Sequence, residues 1–158
     1  MIKTTQCYLC KDDAYLMLLR NKKANDINEG KWIGVGGKIE KGETPRQGIA
    51  REILEETGLA AEELDFRGIV YFEYDEKESE KIYVYTCKRF HGELTDCNEG
   101  TLAWIHKDRM NELNLWEGDK VFLKRILADE TDVFCIRLAY DKNDHLVAVE
   151  NLPPERED

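Results

Sequence analysis

Three glutamates, Glu52, Glu55 and Glu56, fall at i, i+3 and i+4 of a stretch with helical signals, so their side chains project from one face. Like charges crowded within about one turn repel, at a few tenths of a kcal/mol per exposed pair. Arg51 reaches Glu55 at the i+4 spacing, but one guanidinium cannot neutralise three carboxylates. A hard divalent cation can. Mg²⁺, or Mn²⁺ in its place, takes oxygen ligands and retains waters that a phosphate can replace. On their own the three glutamates describe a solvated acidic helix face. Their company points elsewhere: Gly36, Gly37 and Lys38 lie upstream, where glycine lets backbone approach a ligand, and Glu43 stands just before the helix.

The helix that positions them is well marked. Thr44 is an N-cap, Pro45 suits the first helical position, Gln47 completes a capping box and Gly58 suits the stop. Ile49, Ala50, Ile53, Leu54 and Thr57 share one broad side, expected to face the core. Around this helix the chain reads mostly as strands. Residues 5–10 and 14–20 form a hairpin about Lys11, Asp12 and Asp13, 21–31 a loop, and 32–38 a short glycine-punctuated segment. Residues 65–74 and 81–89 pair around a charged tip, 101–105 is a short strand, and 133–141 with 145–150 is a closing hairpin. Helical patterns cover 107–113 and 119–127. A mixed sheet covered by helices follows, with residues 1–150 as one α/β domain and 151–158 as a frayed tail.

The 158 residues carry a net charge of −10, which excludes a protein that grips a nucleic acid polymer through a basic surface. A nucleotide remains compatible, because divalent ions can sit between an acidic site and a polyphosphate. No apolar stretch reaches the length of a signal-peptide core or a membrane span, so the expected location is the cytoplasm. The five cysteines then read as reduced thiols. Cys7 and Cys10 form a C-x-x-C, but they lie on a strand, where their side chains point to opposite faces, and a second ligand pair with zinc spacing is missing. His91, His106 and His145 are scattered.

Gly37, Glu43, Arg51, Glu52, Ile53, Glu55, Glu56, Gly58 and Leu59 fit the pattern G-x5-E-x7-R-E-U-x-E-E-x-G-U, where U is a bulky aliphatic residue. The segment thus resembles the Nudix box. Its seven fixed positions make a chance match on the order of one in ten million at ordinary amino-acid frequencies. The resemblance implies a Nudix-type α/β/α sandwich with a mixed central sheet. It implies Glu55 and Glu56 as principal metal ligands, Glu52 as a further ligand or water-activating base, and the Gly36 carbonyl near the metal. It also implies a structural pair, Arg51 with Glu43, that orients the carboxylates, with Gly37 and Gly58 supporting the loops. Glu99 matches the place of a further acidic ligand in MutT-like members, with Asp96 as the neighbouring alternative.

Outside the box the chain is similar to the MutT and 8-oxo-dGTP diphosphatase branch. Residues 31–38, including Ile33 and Lys38, resemble its approach to the box, and 115–119 resembles a stretch that supplies base-recognition groups. By that likeness Trp116 stacks on a purine, Asp119 bonds the base edge and Phe72 lines the pocket, each with core packing or helix-end charge as the plain alternative. Ile33 departs from the pattern, since a purine-sanitising relative has a polar base-reading side chain there. The resemblance implies a Mg²⁺-dependent hydrolase acting on a nucleoside triphosphate, such as 8-oxo-dGTP, to give the monophosphate and pyrophosphate. The alternatives are another nucleoside diphosphate derivative (ADP-ribose, a nucleotide sugar, a dinucleoside polyphosphate) and a silent nucleotide sensor. The expected partner is a small-molecule nucleotide, handled by a monomer or homodimer.

Overall fold

The computed structural model describes residues 1–158, apart from the side chain of residue 78. The element order is β1 (Ile2–Lys11), β2 (Ala14–Leu19), β3 (Trp32–Ile33), α1 (Pro45–Thr57), β4 (Leu59–Tyr74), β5 (Lys77–Gly92), β6 (Thr101–His106), a 3₁₀ turn (Lys107–Glu112), α2 (Asp119–Leu127), β7 (Phe134–Tyr140) and β8 (Leu146–Asn151). The strands order as β3-β2-β1-β5-β4-β7-β8, with β6 pairing β2. β1 with β5 and β4 with β7 are parallel; the hairpin pairs are antiparallel. The expected mixed sheet with helices is therefore present.

Local chemistry explains the turns. Asp12 and Asp13 join β1 to β2, and Asp75 and Glu76 join β4 to β5, all with φ between 51° and 62°. Two consecutive residues of positive φ make the turn whose twist matches a hairpin. The second turn is tighter than the sequence suggested, and β4 and β5 run on to 16 residues each. Pairing continues through register shifts between Ala61 and Asp65 and between Phe66 and Gly68. Such bulges are invisible to a simple alternation pattern.

Alternation along β1 sorts side chains to two cores. Cys7 and Leu9 join Ile49 and Ile53 of α1 on one face. Tyr8 joins Phe122, Leu123 and Ile126 of α2 on the other, where Cys10 also packs. One helix on each face of the sheet is the layered α/β arrangement expected. The two cysteines of the C-x-x-C thus lie on opposite faces, and all five cysteines are free thiols.

Two expectations are corrected. Leu54 is 55% exposed, because α1 buries only the stripe Ile49, Ile53 and Thr57, with Gly48 and Glu56 at its borders. The C-terminal residues are tied to the sheet rather than frayed. Leu152 N–H donates to the Cys135 carbonyl at 2.8 Å, and Tyr71 and Lys81 bond Glu155. Arg46 and Tyr85 bond Glu157.

Candidate active site

The glycine segment is the first part of the site. It runs antiparallel along the free side of β1: Cys7 N–H donates to the Val35 carbonyl at 2.6 Å, and Thr5 N–H and Oγ1 donate to the Gly37 carbonyl at 2.8 and 3.2 Å. A Cβ on Gly36 would overlap the Thr5 carbonyl oxygen, so only glycine fits. A Cβ on Gly37 would stand 2.6–2.7 Å from the Glu52 carboxylate. The loop backbone and the helix carboxylate therefore touch with no room between them.

The second part is α1 itself. Thr44 Oγ1 accepts from Gln47 N–H at 3.1 Å while Thr44 N–H donates to Gln47 Oε1 at 2.9 Å, which closes the capping box. Gly58 ends the helix at φ 80° and donates to the Leu54 carbonyl at 2.9 Å. With both ends fixed, Arg51 becomes the hub. Its Nε and Nη2 bond both oxygens of Glu43 at 2.7 and 2.9 Å, and Nη2 also bonds the Lys38 carbonyl at 3.0 Å. Its Nη1 bonds Glu52 Oε1 at 2.8 Å and Glu55 Oε2 at 3.2 Å. A two-pronged guanidinium–carboxylate pair fixes orientation as well as charge. These bonds hold the Glu43 carboxyl below the ordinary carboxylate range and push the Arg51 pKa up.

The expected acidic residues separate in environment. Glu56 is 8% exposed and accepts from Gly36 N–H at 3.3 Å. Burial first, then a hydrogen bond and charge from Glu99, and charge from Glu52, push its carboxyl up to about 9. Burial also raises Glu52; Arg51 opposes this, and Glu55 and Glu99 add to it. Glu55 faces solvent and keeps its bond to Arg51. Among the described residues no three acidic, histidine or cysteine side chains converge into a ready-made cation cage. Arg51 draws one oxygen each of Glu52 and Glu55 aside. The donor set still suits a hard cation, because crowded carboxylate oxygens that raise one another's proton affinity are the ligands Mg²⁺ prefers.

Gly36, Gly37, Lys38, Glu52, Glu56 and Glu99 line one cleft of about 480 Å³, and Ile33 lies on its wall. Glu99 thus meets Glu56 across the cleft, whereas Asp96 lies on a separate surface hollow. The remaining substrate candidates do not line this cleft. Trp116 is buried, its Nε1 donating to Asn28 Oδ1 at 2.7 Å and its ring set against Tyr140 and Phe72 at 4.8 and 5.3 Å. The Lys31 ammonium covers that ring at 4.6 Å from its centre. Burial pushes the Asp119 carboxyl up to about 7, against the opposing charge of Lys31. The structure adds cleft residues that the motif did not mark, among them Gln6, Arg20, Lys23, Asp26, Asn28 and Glu80. For Arg20, Lys23, Asp26 and Asn28 the sequence signal was the charged and polar run that follows the apolar stretch of β2, whereas Gln6 on β1 and Glu80 on β5 carried none.

The site is thus built on an open α/β sheet, with an acidic helix packed against a glycine loop. The NUDIX domain matches residues 3–126, and the chain belongs to the Nudix hydrolase family. It is 28% identical to the oxidized purine nucleoside triphosphate hydrolase of Mus musculus over 132 residues, 83% of each chain. It is 31% identical to the Danio rerio protein of the same name over 111 residues, 70% of this chain and 71% of the other. The fold matches the MutT protein of Bacillus halodurans with a TM-score of 0.85 at 24% identity, over 96% of this chain and 97% of that one.

Proposed function

We propose that this protein is a Mg²⁺-dependent nucleoside triphosphate pyrophosphohydrolase of the MutT kind, releasing a nucleoside monophosphate and pyrophosphate. The observation that carries the reading is the cleft in which Glu52, Glu56 and Glu99 meet the Gly36–Gly37 backbone. The names of the mouse and zebrafish relatives support a nucleoside triphosphate as substrate, with oxidised purines first among the candidates.

Glu56, Glu99 and Glu52 would hold the divalent cation, with Glu55 able to join them on leaving Arg51. When bound, the metal supplies neutralisation of charge on the phosphoryl oxygens and acidifies its bound water. Arg51 and Glu43 keep the carboxylates aimed at the cleft. Where Glu52 does not ligate the cation, its carboxylate at the cleft is the group placed to take the proton of the attacking water. The water oxygen bonds to phosphorus, and the bridging oxygen leaves with the electron pair of the broken P–O bond.

Ile33 favours a second reading on one point. An aliphatic wall offers no hydrogen bond to a base edge, so another nucleoside diphosphate derivative stands behind the triphosphate. The proposed location is the cytoplasm, which the five free thiols support; among the described residues no helix is long and apolar enough to cross a membrane. The test is pyrophosphate and phosphate release, with Mg²⁺, across canonical and oxidised nucleoside triphosphates, dinucleoside polyphosphates, ADP-ribose and nucleotide sugars. Release of pyrophosphate from a triphosphate supports the first reading, and release confined to the other classes refutes it.

A further inference from the structure

The cleft holds a largely buried cation, Arg20, whose surroundings are unfinished. Arg20 directly follows β2, and its backbone is fixed twice: its N–H donates to the Lys31 carbonyl at 3.0 Å and its carbonyl accepts from Gly30 N–H at 2.8 Å. The loop between them thus hangs from Arg20. The Arg20 side chain is only 12% exposed, and its Nε lies 2.8 Å from Asp26 Oδ2. Neither atom has a properly aligned hydrogen-bond partner, although both are buried. Asp26 itself is 9% exposed. Nη1 lies 3.6 Å from Glu99 Oε2, an attraction too long for a hydrogen bond. Arg20, Asp26 and Glu99 all line the cleft that contains Glu52 and Glu56.

A largely buried guanidinium whose Nε faces only a poorly aligned Asp26 and whose Nη1 has only a distant Glu99 is costly unless another group completes it. Its five N–H groups form a rigid fork that matches two oxygens of a phosphate. The other cations of this cleft, Lys23 and Lys38, are exposed and can follow a ligand only as mobile point charges. A polyphosphate entering an acidic cleft needs a fixed counter-charge, and Arg20 supplies one beside Glu99.

We propose that Arg20 binds the phosphate chain of the substrate, with Asp26 as the counter-charge that keeps its guanidinium aimed into the cleft. The assignment rests on the reading of this cleft as a nucleotide site. Glu99 is the second element: its 3.6 Å contact is too long to occupy Nη1 by a hydrogen bond, which leaves that donor for a phosphate oxygen. Arg20 is then a substrate-binding residue and Asp26 a positioning residue.

The test is calorimetric binding of two probes, a non-hydrolysable α,β-imido analogue of dGTP and inorganic tripolyphosphate, which has no base. Each is measured in EDTA and again with Mg²⁺. Wild type is compared with Arg20→Met and Arg20→Gln, together with their melting temperatures. Both variants are expected to bind both probes about tenfold or more weakly, as loss of a charge-assisted hydrogen bond requires, with melting temperatures within a few degrees of wild type. Unchanged affinity for tripolyphosphate in a folded variant overturns the assignment, as does a wild-type protein that binds neither probe. Should Arg20→Met fail to fold, Arg20→Gln decides alone, since it keeps polar atoms and loses only the charge and the fork. Failure of the functional reading is seen separately, as a wild-type protein that hydrolyses no triphosphate; the binding comparison does not depend on turnover.

Discussion

Glu56→Gln separates the chemical role of this carboxylate from its effect on stability, because the two have opposite signs. In the metal-free protein, burial and the adjacent Glu99 and Glu52 raise the Glu56 carboxyl from its ordinary 4.5 to about 9. The folded state therefore holds a proton that the unfolded state gives up above 4.5. For a carboxyl raised on folding, the stabilising contribution is complete below 4.5. It declines as pH rises toward 9. At pH 7, 2.5 pH units above 4.5, the loss at ~1.36 kcal/mol per unit is about 3.4 kcal/mol, as an upper bound, since shared protons and local relaxation reduce it. A glutamine keeps an oxygen for the Gly36 N–H and has no proton to lose. In EDTA at pH 7 the variant should then be more stable than wild type by about 1–3 kcal/mol, which raises the melting temperature by about 3–9 °C at this size. The gap should shrink at pH 5 and widen at pH 8.5. With Mg²⁺ the order should reverse, because only wild type gains binding energy from the ion. Thermal melts of both proteins at three pH values, with EDTA and with Mg²⁺, measure all of this. A variant no more stable than wild type in EDTA at pH 8.5, or a Mg²⁺ shift of equal size in both proteins, would refute the reasoning.

Three further perturbations test the site's supports. Gly37→Ala places a methyl 2.6–2.7 Å from the Glu52 carboxylate and should cut kcat by about tenfold or more with the fold retained, read by circular dichroism beside steady-state rates. Arg51→Met removes the bonds to Glu43, Glu52 and Glu55. It should lower metal affinity and activity about 10–100-fold, measured by Mg²⁺ titration of turnover. Trp116→Ala empties an aromatic cluster and orphans Asn28. It should lose about 3–5 kcal/mol in a denaturant melt, so a pure KM effect with unchanged stability would return this ring to a substrate-stacking role.

The parts of this molecule that were legible in the sequence are those set by neighbours along the chain. Thr44, Pro45, Gln47 and Gly58 delimit α1 because capping is a contact between residues a few positions apart. The aspartates at 12 and 13 mark a hairpin for the same reason. Leu54 was misplaced because α1 buries a narrow stripe, and only the sheet beneath it decides how wide that stripe is. The Arg20 pairing with Glu99 spans 79 positions and exists only once the topology brings the end of β2 to the loop before β6. The tail misled for a related reason. Its charged, proline-containing sequence reads as a frayed end, yet Glu155 and Glu157 find Lys81, Tyr85 and Arg46 far upstream. Bulges such as that at Arg67 likewise break the strand pattern without breaking the strand.

The central claim is that the carboxylates around Gly36 and Gly37 serve metal-dependent cleavage of a nucleoside triphosphate. Its most direct test is pyrophosphate release from a panel of canonical and oxidised nucleoside triphosphates, with Mg²⁺ or with EDTA, by wild type and Glu56→Gln side by side. The predicted result is pyrophosphate from at least one triphosphate with wild type and Mg²⁺, and a rate reduced about a hundredfold or more by EDTA or by the glutamine. Turnover that survives both, or a wild-type protein that releases pyrophosphate from no triphosphate, would contradict it.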